Sequence, residues 1–252
     1  MKTSTSSANR ISPWAVVFWL LVWQIAAMVM NQPLLLVSPL DTLRRLAALV
    51  LEPVFWRSVG FSVGRIMLGF GLSCLLGILL AALAYRFRPV RQLLSPLTAT
   101  VKAIPVASFV ILALLWVSSR NLSVLISVMI GFPIIYLNTL IGLDHMDPKL
   151  LQMAKVFRIP LGKRIRVVYF SQLLPFLRTS LNVAIGLCWK SGVAAEVIGI
   201  PSGSVGQQLY NAKVYLETAD LFCWTLVIVL LSVACEKLLA LLLSAAEKGA
   251  LR

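Results

Sequence analysis

The chain has 252 residues, of which 60% are apolar and only 13% are charged, and its mean hydropathy is +0.92. Soluble domains are close to half apolar and about a quarter charged, so this composition excludes an ordinary soluble domain, a disordered chain, a collagen-like chain and a disulfide scaffold. The net charge of +14 would suit a nucleic-acid partner, but in so apolar a chain it indicates basic loops at a membrane face and no nucleic acid.

Six apolar runs are long enough to predict membrane-spanning helices, because one span needs about 20 residues. The first, at 13–31, follows a tail at 1–12; a signal peptide is the alternative, but no clear small-x-small cleavage site follows the run. Backbone polar groups find no partner in lipid, so each run is predicted to be an α-helix. The other five runs lie at 66–85, 103–119, 122–143, 181–200 and 221–245.

The segments between these runs define the remaining organisation. Residues 32–65 contain Ser38-Pro39 followed by apolar residues at helical spacing, which predicts an amphipathic helix lying on the membrane. Residues 66–245 are predicted to form the membrane core, interrupted by a long loop at 144–178 and followed by a tail at 246–252. The apolar residues of the amphipathic helix are Leu43, Leu46, Val50 and Leu51.

The distribution of lysine and arginine predicts the orientation. With the N-terminus inside, the inner segments carry 16 of the 23 basic residues and the outer segments carry 6, while Lys190 lies within a span. Cytoplasmic loops carry the excess of basic residues in membrane proteins. The sequence therefore predicts an all-α integral membrane protein with six transmembrane helices and both termini in the cytoplasm.

The sequence offers little for catalysis. The four cysteines lie in apolar runs without CxxC spacing, His145 is the single histidine, and no GxxxxGK[ST] motif occurs. A membrane-embedded enzyme would need a cluster of His, Asp or Cys at the membrane face. We therefore expect no metal site, no bound cofactor and no enzymatic activity, and any active transport would draw on a partner or an ion gradient.

The inner loop contains a short amphipathic helix. Asp147 suits an N-cap, Pro148 suits the first helical position, and Pro160 ends the helix. The helix either lies on the inner leaflet or docks into a groove of a soluble partner, and the small Ala154 would permit the second. The polar residues recur every three positions at Lys149, Gln152, Lys155 and Arg158. The other face carries Leu150, Leu151, Ala154 and Phe157.

This loop, with several further segments, resembles a known family. The loop reads Gln152-Met153-Ala154, then Arg158, Val168, Ser171 and Pro175. It is similar to the coupling loop of binding-protein-dependent ABC importer permeases, in which Glu-Ala-Ala is followed by three residues, Gly, nine residues and Ile-x-Leu-Pro. The nearest subgroup is the nitrate, sulfonate and taurine type. Further similar segments are Ser62-Val-Gly-Arg65, Lys102-Ala-Ile-Pro105 and Ala194-Ala195-Glu196-Val-Ile-Gly199.

The resemblance implies a type I importer permease in a bacterial cytoplasmic (inner) membrane. It implies a permease homodimer in the lipid bilayer, two cytoplasmic ATPase subunits that use ATP, and an extracytoplasmic solute-binding protein. Sulfonate, taurine, nitrate and a thiamine precursor remain open as the solute. The alternative is a secondary transporter or channel without an ATPase, although the matched broken helices typical of such proteins are missing from the sequence.

The resemblance also implies which loop residues couple transport to the ATPase. Arg158 stands where the family has Gly, so we expect the helix to extend slightly and Gly162 to form the turn instead. The implied coupling residues are Pro148, Leu150, Leu151, Gln152, Met153, Ala154, Lys155, Phe157, Arg158 and Gly162.

Two charges lie within the fifth apolar run. A charge at a helix centre costs about 2.5–3.5 kcal/mol on insertion scales, so Lys190 and Glu196 should face protein or water. They lie about 240° apart around a helix, which argues against a simple pair on one face. Lys190 either meets an anionic solute or bonds a neighbouring helix or a second copy, and Glu196 is placed near an outer gate. Asn138 and Trp189 are the other candidates for the translocation path.

Overall fold

The computed structural model describes residues 12–32 and 34–250, which contain helices and no β-strand. This confirms the predicted all-α class. The helices are α1 (Pro13–Met30), α2 (Pro39–Leu49), α3 (Pro53–Arg86), α4 (Arg88–Ala103), α5 (Val106–Ala113), α6 (Ser119–Asp144), α7 (Pro148–Val156), α8 (Leu161–Arg164), α9 (Phe170–Gly199), α10 (Val205–Val214) and α11 (Thr218–Ala250). A π-helical segment, Ile165–Tyr169, joins α8 to α9.

The centre of the fold is the packing of α3, α6 and α9. Small residues let these helices approach closely: a Cβ on Gly69 would lie 2.6 Å from the Val124 carbonyl oxygen, and one on Gly131 would collide with Ser73 Oγ. Close backbone approach through small residues is how membrane helices gain packing contact without a hydrophobic driving force. The α3–α6–α9 unit is therefore a rigid frame for the rest of the chain.

Two polar contacts show that α3 and α6 run in the same direction. Arg65 of α3 donates to Oδ1 of Asn121, near the start of α6, at 2.7 Å. Arg91 of α4, just past the end of α3, pairs with Asp144 at the end of α6 at 2.9 Å. The segment 87–118 therefore returns across the protein between them. Five helices of the described chain are long and apolar enough to span a membrane, and the bent α4–α5 pair is the candidate for a sixth.

The third crossing differs from the prediction of one uncharged helix at 103–119. Helices α4 and α5 meet at a bend of 104°. The break lies at Ile104 and Pro105, where Ile104 is extended with ψ 128°. Proline lacks an N–H and pushes the residue before it out of the helical region, so the crossing consists of two helices.

Helix α2 forms as predicted, and one side of it packs within the protein. Its Leu46 and Val50 pack with Phe55 and Trp224 in a hydrophobic cluster between α2, α3 and α11. The Arg45 guanidinium also donates to Asp220 Oδ2 at 2.8 Å. This side of α2 is thus buried, whereas Leu43 is 56% and Leu51 is 84% exposed, and contact of these residues with the membrane stays a prediction.

Candidate functional site

Helix α7 is fixed to the fold at its N-terminus. The Asp147 carboxylate accepts the N–H of Lys149 at 2.8 Å, as predicted for an N-cap. The N–H of Asp147 itself donates to Gln172 Oε1 on α9 at 2.8 Å. The start of α7 is therefore tied directly to the base of a spanning helix.

The C-terminus of α7 is closed by Arg158 in the left-handed region, with φ at 48°. The Arg158 N–H donates to the Lys155 carbonyl at 3.0 Å, and the Ile159 N–H donates to the Ala154 carbonyl at 3.0 Å. These two bonds form a Schellman motif, which normally uses glycine. The expectation that α7 extends past this point and that Gly162 forms the turn is wrong, because Arg158 closes the helix itself and Gly162 lies in α8.

The two apolar sides of α7 have different surroundings. Ala154 is only 1% exposed, and Leu151 packs against the hydrophobic cluster at the base of α9. Ala154 therefore faces the chain's own fold and not a free surface. The exposed apolar side chains are Leu150, Met153, Val156 and Phe157, with Val156 78% and Phe157 73% exposed. Sequence reasoning missed Val156, although its spacing from Met153 and Leu150 puts it on their side of the helix.

The buried side of α7 rests on the π-helical segment Ile165–Tyr169. Val168 in this segment is buried, and Arg164 donates to Tyr169 Oη at 2.9 Å across it. The Phe170 N–H donates to the Ile165 carbonyl, which is the wider π-type turn. Such turns are uncommon and concentrate at functional sites. The segment is thus the direct connection between the buried side of α7 and the start of α9.

Lys190 lies on an exposed stripe of α9, within the helix. It is nine residues from the end of α9 at Gly199, a rise of about 14 Å. A lysine at that depth cannot remain in contact with lipid without a large free-energy cost, so the stripe must face water or another chain. The stripe comprises Thr179, Val183, Leu187, Lys190 and Ala194.

Glu196 is fully buried between α3, α9 and α10. Its Oε2 accepts the Ser62 hydroxyl at 2.6 Å and the Gly206 N–H at 3.4 Å. The carboxyl group therefore lies at the N-terminus of α10, where the helix dipole favours negative charge. These contacts support the interpretation that Glu196 bonds neighbouring helices.

The other two path candidates bond within the fold. Trp189 is buried and its Nε1–H donates to the Ile228 carbonyl on α11 at 2.9 Å. Asn138 is half-buried, and its Nδ2 donates to the Ile134 carbonyl of its own helix at 2.8 Å. The structure thus does not gather the four candidates in one site, and Lys190 alone among them is exposed.

Matches to known proteins extend over most of the chain. Residues 73–249 match the family described as binding-protein-dependent transport system inner membrane component. The chain is 26% identical to the putative aliphatic sulfonates transport permease protein SsuC of Bacillus subtilis, over 80% of this chain and 73% of that protein.

Two further relatives are also named as transport permeases. The nitrate import permease protein NrtB of Synechocystis is 25% identical over 81% of this chain and 78% of its own length. The taurine transport system permease protein TauC of Escherichia coli is 23% identical over 78% and 73%. The family match includes α7, the π-helical segment and Lys190.

Proposed function

Because the chain belongs to the binding-protein-dependent transport system inner membrane component family, we propose that it is the membrane-spanning permease subunit of an ATP-driven importer. The observation that carries the proposal is helix α7. This helix is capped at both ends and tied to α9, yet it exposes a row of apolar side chains. Exposed apolar residues on a rigid helix are the usual anchors for insertion into a partner's groove.

The partner for α7 is a cytoplasmic ABC ATPase subunit. Met153, Val156 and Phe157 enter its groove, while Lys149 and Lys155 contact the polar rim. Pro148 starts the helix, Gln152 adds polar surface, Arg158 closes the C-terminus, and Gly162 begins the return into α9. When the ATPases bind ATP and close, the movement reaches α9 through Leu151, Ala154 and the π-helical segment.

The solute path runs along the exposed stripe of α9 and is completed by a second copy of this chain. Lys190 offers the path a positive charge, which suits a small anion. The relatives are named for aliphatic sulfonates, nitrate and taurine, which all carry negatively charged groups, and this supports a small anion as the solute. An extracytoplasmic solute-binding protein delivers the solute to the outer face.

The excess of basic residues in the loops supports an orientation with both termini in the cytoplasm, in a bacterial cytoplasmic membrane. In this orientation α7, the Arg91–Asp144 pair and the base of α9 lie inside. The Glu196 cap of α10 then lies near the outer end, as expected for an element that closes the outer side.

The test is copurification of the tagged full chain from its native membranes in mild detergent, followed by mass spectrometry. The wild type should bring down a stoichiometric P-loop ATPase. Phe157→Asp should lose the ATPase, since a charge replaces an apolar anchor that is 73% exposed. The matched control Tyr215→Asp, at a 71% exposed residue directly after α10, should retain the ATPase.

Ala154→Asp is a poorer probe, because it places a charge inside the fold and disturbs α7 itself. An oligomer of this chain that copurifies without any ATPase, under conditions that preserve weak contacts, would overturn the proposal in favour of a secondary transporter or channel.

A further inference from the structure

One face of α3 is a row of exposed leucines that points away from α6. The five side chains are between 39% and 56% exposed. At about 100° per residue they fall within an arc of about 80°. We call this row the leucine stripe; it comprises Leu68, Leu72, Leu75, Leu79 and Leu83.

The leucine stripe ends at Arg86. Arg86 follows Leu68 by five helical turns of about 3.6 residues, so its side chain leaves α3 on the same face. The distance from Arg86 to Leu75 along the axis is about 17 Å, so the part of the stripe next to the arginine is about as long as the roughly 15 Å of hydrocarbon in one leaflet. The arginine is therefore where a lipid headgroup would lie if an acyl chain followed the stripe.

The corner between α3 and α4 adds a second cation and two aromatic rings. Tyr85, Phe87 and Arg88 are exposed, and the Arg86 guanidinium lies 5.5 Å from the Phe87 ring centroid. At this corner Arg91 forms a salt bridge with Asp144. Neither Arg86 nor Arg88 takes part in a salt bridge among the described residues. Among the residues that the structure describes, Arg86 and Arg88 therefore have no carboxylate partner, and they lie beside an apolar surface.

We infer that this corner binds the phosphate of an anionic phospholipid, whose acyl chain lies along the leucine stripe. Arg86 and Arg88 supply charge-assisted hydrogen bonds to the phosphate oxygens. Tyr85 and Phe87 hold the corner at the level of the headgroups, where aromatic rings are enriched. A free phosphate would use the arginines and leave the stripe without a role, so the combination selects lipid. The inference goes beyond the transport function and does not depend on it.

The test uses the full chain in phosphatidylcholine nanodiscs with and without phosphatidylglycerol, and native mass spectrometry of the lipid that remains bound. The wild type should retain phosphatidylglycerol in preference to phosphatidylcholine. The double variant Arg86→Gln/Arg88→Gln should bind it roughly 30-fold more weakly, since each cation near an anionic lipid contributes about a fivefold change in affinity. The charge-matched Arg44→Gln/Arg120→Gln, whose arginines lie on α2 and α6, should behave as the wild type.

A second variant tests the stripe separately from the charges. Leu79→Ser should weaken retention of long-chain phosphatidylglycerol more than that of a short-chain form, with the arginines intact. Equal retention by the double variant and the wild type would overturn the inference. Competition by inorganic phosphate that equals competition by lipid, or a disulfide between copies formed by Leu79→Cys, would assign the surface to a free anion or to a second chain and would also overturn it.

Discussion

The hydroxyl of Ser62 on α3 joins two groups that come from other elements. It donates to Glu196 Oε2 on α9 at 2.6 Å and accepts the N–H of Val205 at the start of α10 at 2.9 Å. Both hydrogen bonds are buried, so water cannot replace them. This single oxygen therefore fixes the relative positions of three helices at one end of the protein.

Ser62→Ala should lower the stability of the fold by about 1–3 kcal/mol, because the carboxyl oxygen and the Val205 N–H both lose a buried partner. Thermal unfolding of the purified chain in detergent measures the change. Ser180→Ala is the matched control: that serine is equally buried, but its hydroxyl bonds only the Leu177 carbonyl of its own helix at 3.0 Å. Equal melting shifts in the two variants would show that Ser62 does not join the three helices energetically.

Much of α7 could be predicted from sequence because its start is encoded locally. Asp147 and Pro148 specify the cap and the first turn, and both are where they were predicted. The end was missed because local propensity disfavours arginine in the left-handed region, and only the two closing hydrogen bonds stabilise it there. Likewise, helical periodicity predicted one apolar face that included Ala154 and Phe157. Packing against the π-helical segment buries Ala154 and leaves Phe157 exposed.

The charges within the fifth apolar run illustrate a second limit on what the sequence alone can predict. Lys190 and Glu196 occur in the same run of α9, and sequence spacing shows only that they face different directions. Which charge is buried depends on Ser62 and on the N-terminus of α10, which are far away along the chain. The bend at Pro105 could have been predicted from the sequence, because proline interrupts helices.

Arg158→Gly should stabilise α7 by about 1 kcal/mol, since glycine adopts the left-handed conformation without the steric cost that a side chain carries. Hydrogen–deuterium exchange of the peptide that covers residues 148–160 should become slower. Lys155→Gly, in the same helix but at a helical position, should speed exchange through a loss of about 1 kcal/mol. Faster exchange in Arg158→Gly would mean that the arginine side chain itself holds the turn.

The Arg45–Asp220 pair should make a measurable contribution because it joins α2 to α11. The hydrogen bond that Arg45 donates to the Asp220 carboxylate raises the pKa of Arg45, while burial opposes this shift. A raised pKa contributes stability below the unfolded value and loses it only above the folded value, so the Arg45 contribution is constant through the neutral range. Asp220→Asn should cost about 1 kcal/mol, given partial solvent screening.

Thermal unfolding at low and high salt tests this contribution. Added salt should reduce the difference between Asp220→Asn and the wild type, because ions screen the partly exposed pair. Arg44→Gln is the control: it removes the exposed pair with Asp41 at 3.4 Å but keeps the Ser38–Asp41 hydrogen bond at the start of α2, so it should have almost no effect. A loss that does not change with salt would assign the effect of Asp220 to packing.

Lys190→Met should separate the free-energy cost of the charge within the span from its contribution to solute binding. Removing a lysine from the middle of a spanning helix should raise the stability of the isolated chain, because insertion scales assign such a charge a penalty of about 2.5–3.5 kcal/mol. In proteoliposomes with the ATPase and binding protein, the same variant should need at least about tenfold more of an anionic solute for half-maximal uptake, the loss expected for one charge-assisted contact. Lys190→Arg should retain the affinity, and Leu187→Met, on the same stripe, should match the wild type. Unchanged uptake affinity in Lys190→Met would remove Lys190 from the solute path and leave contact with a second chain as the reason for its exposure.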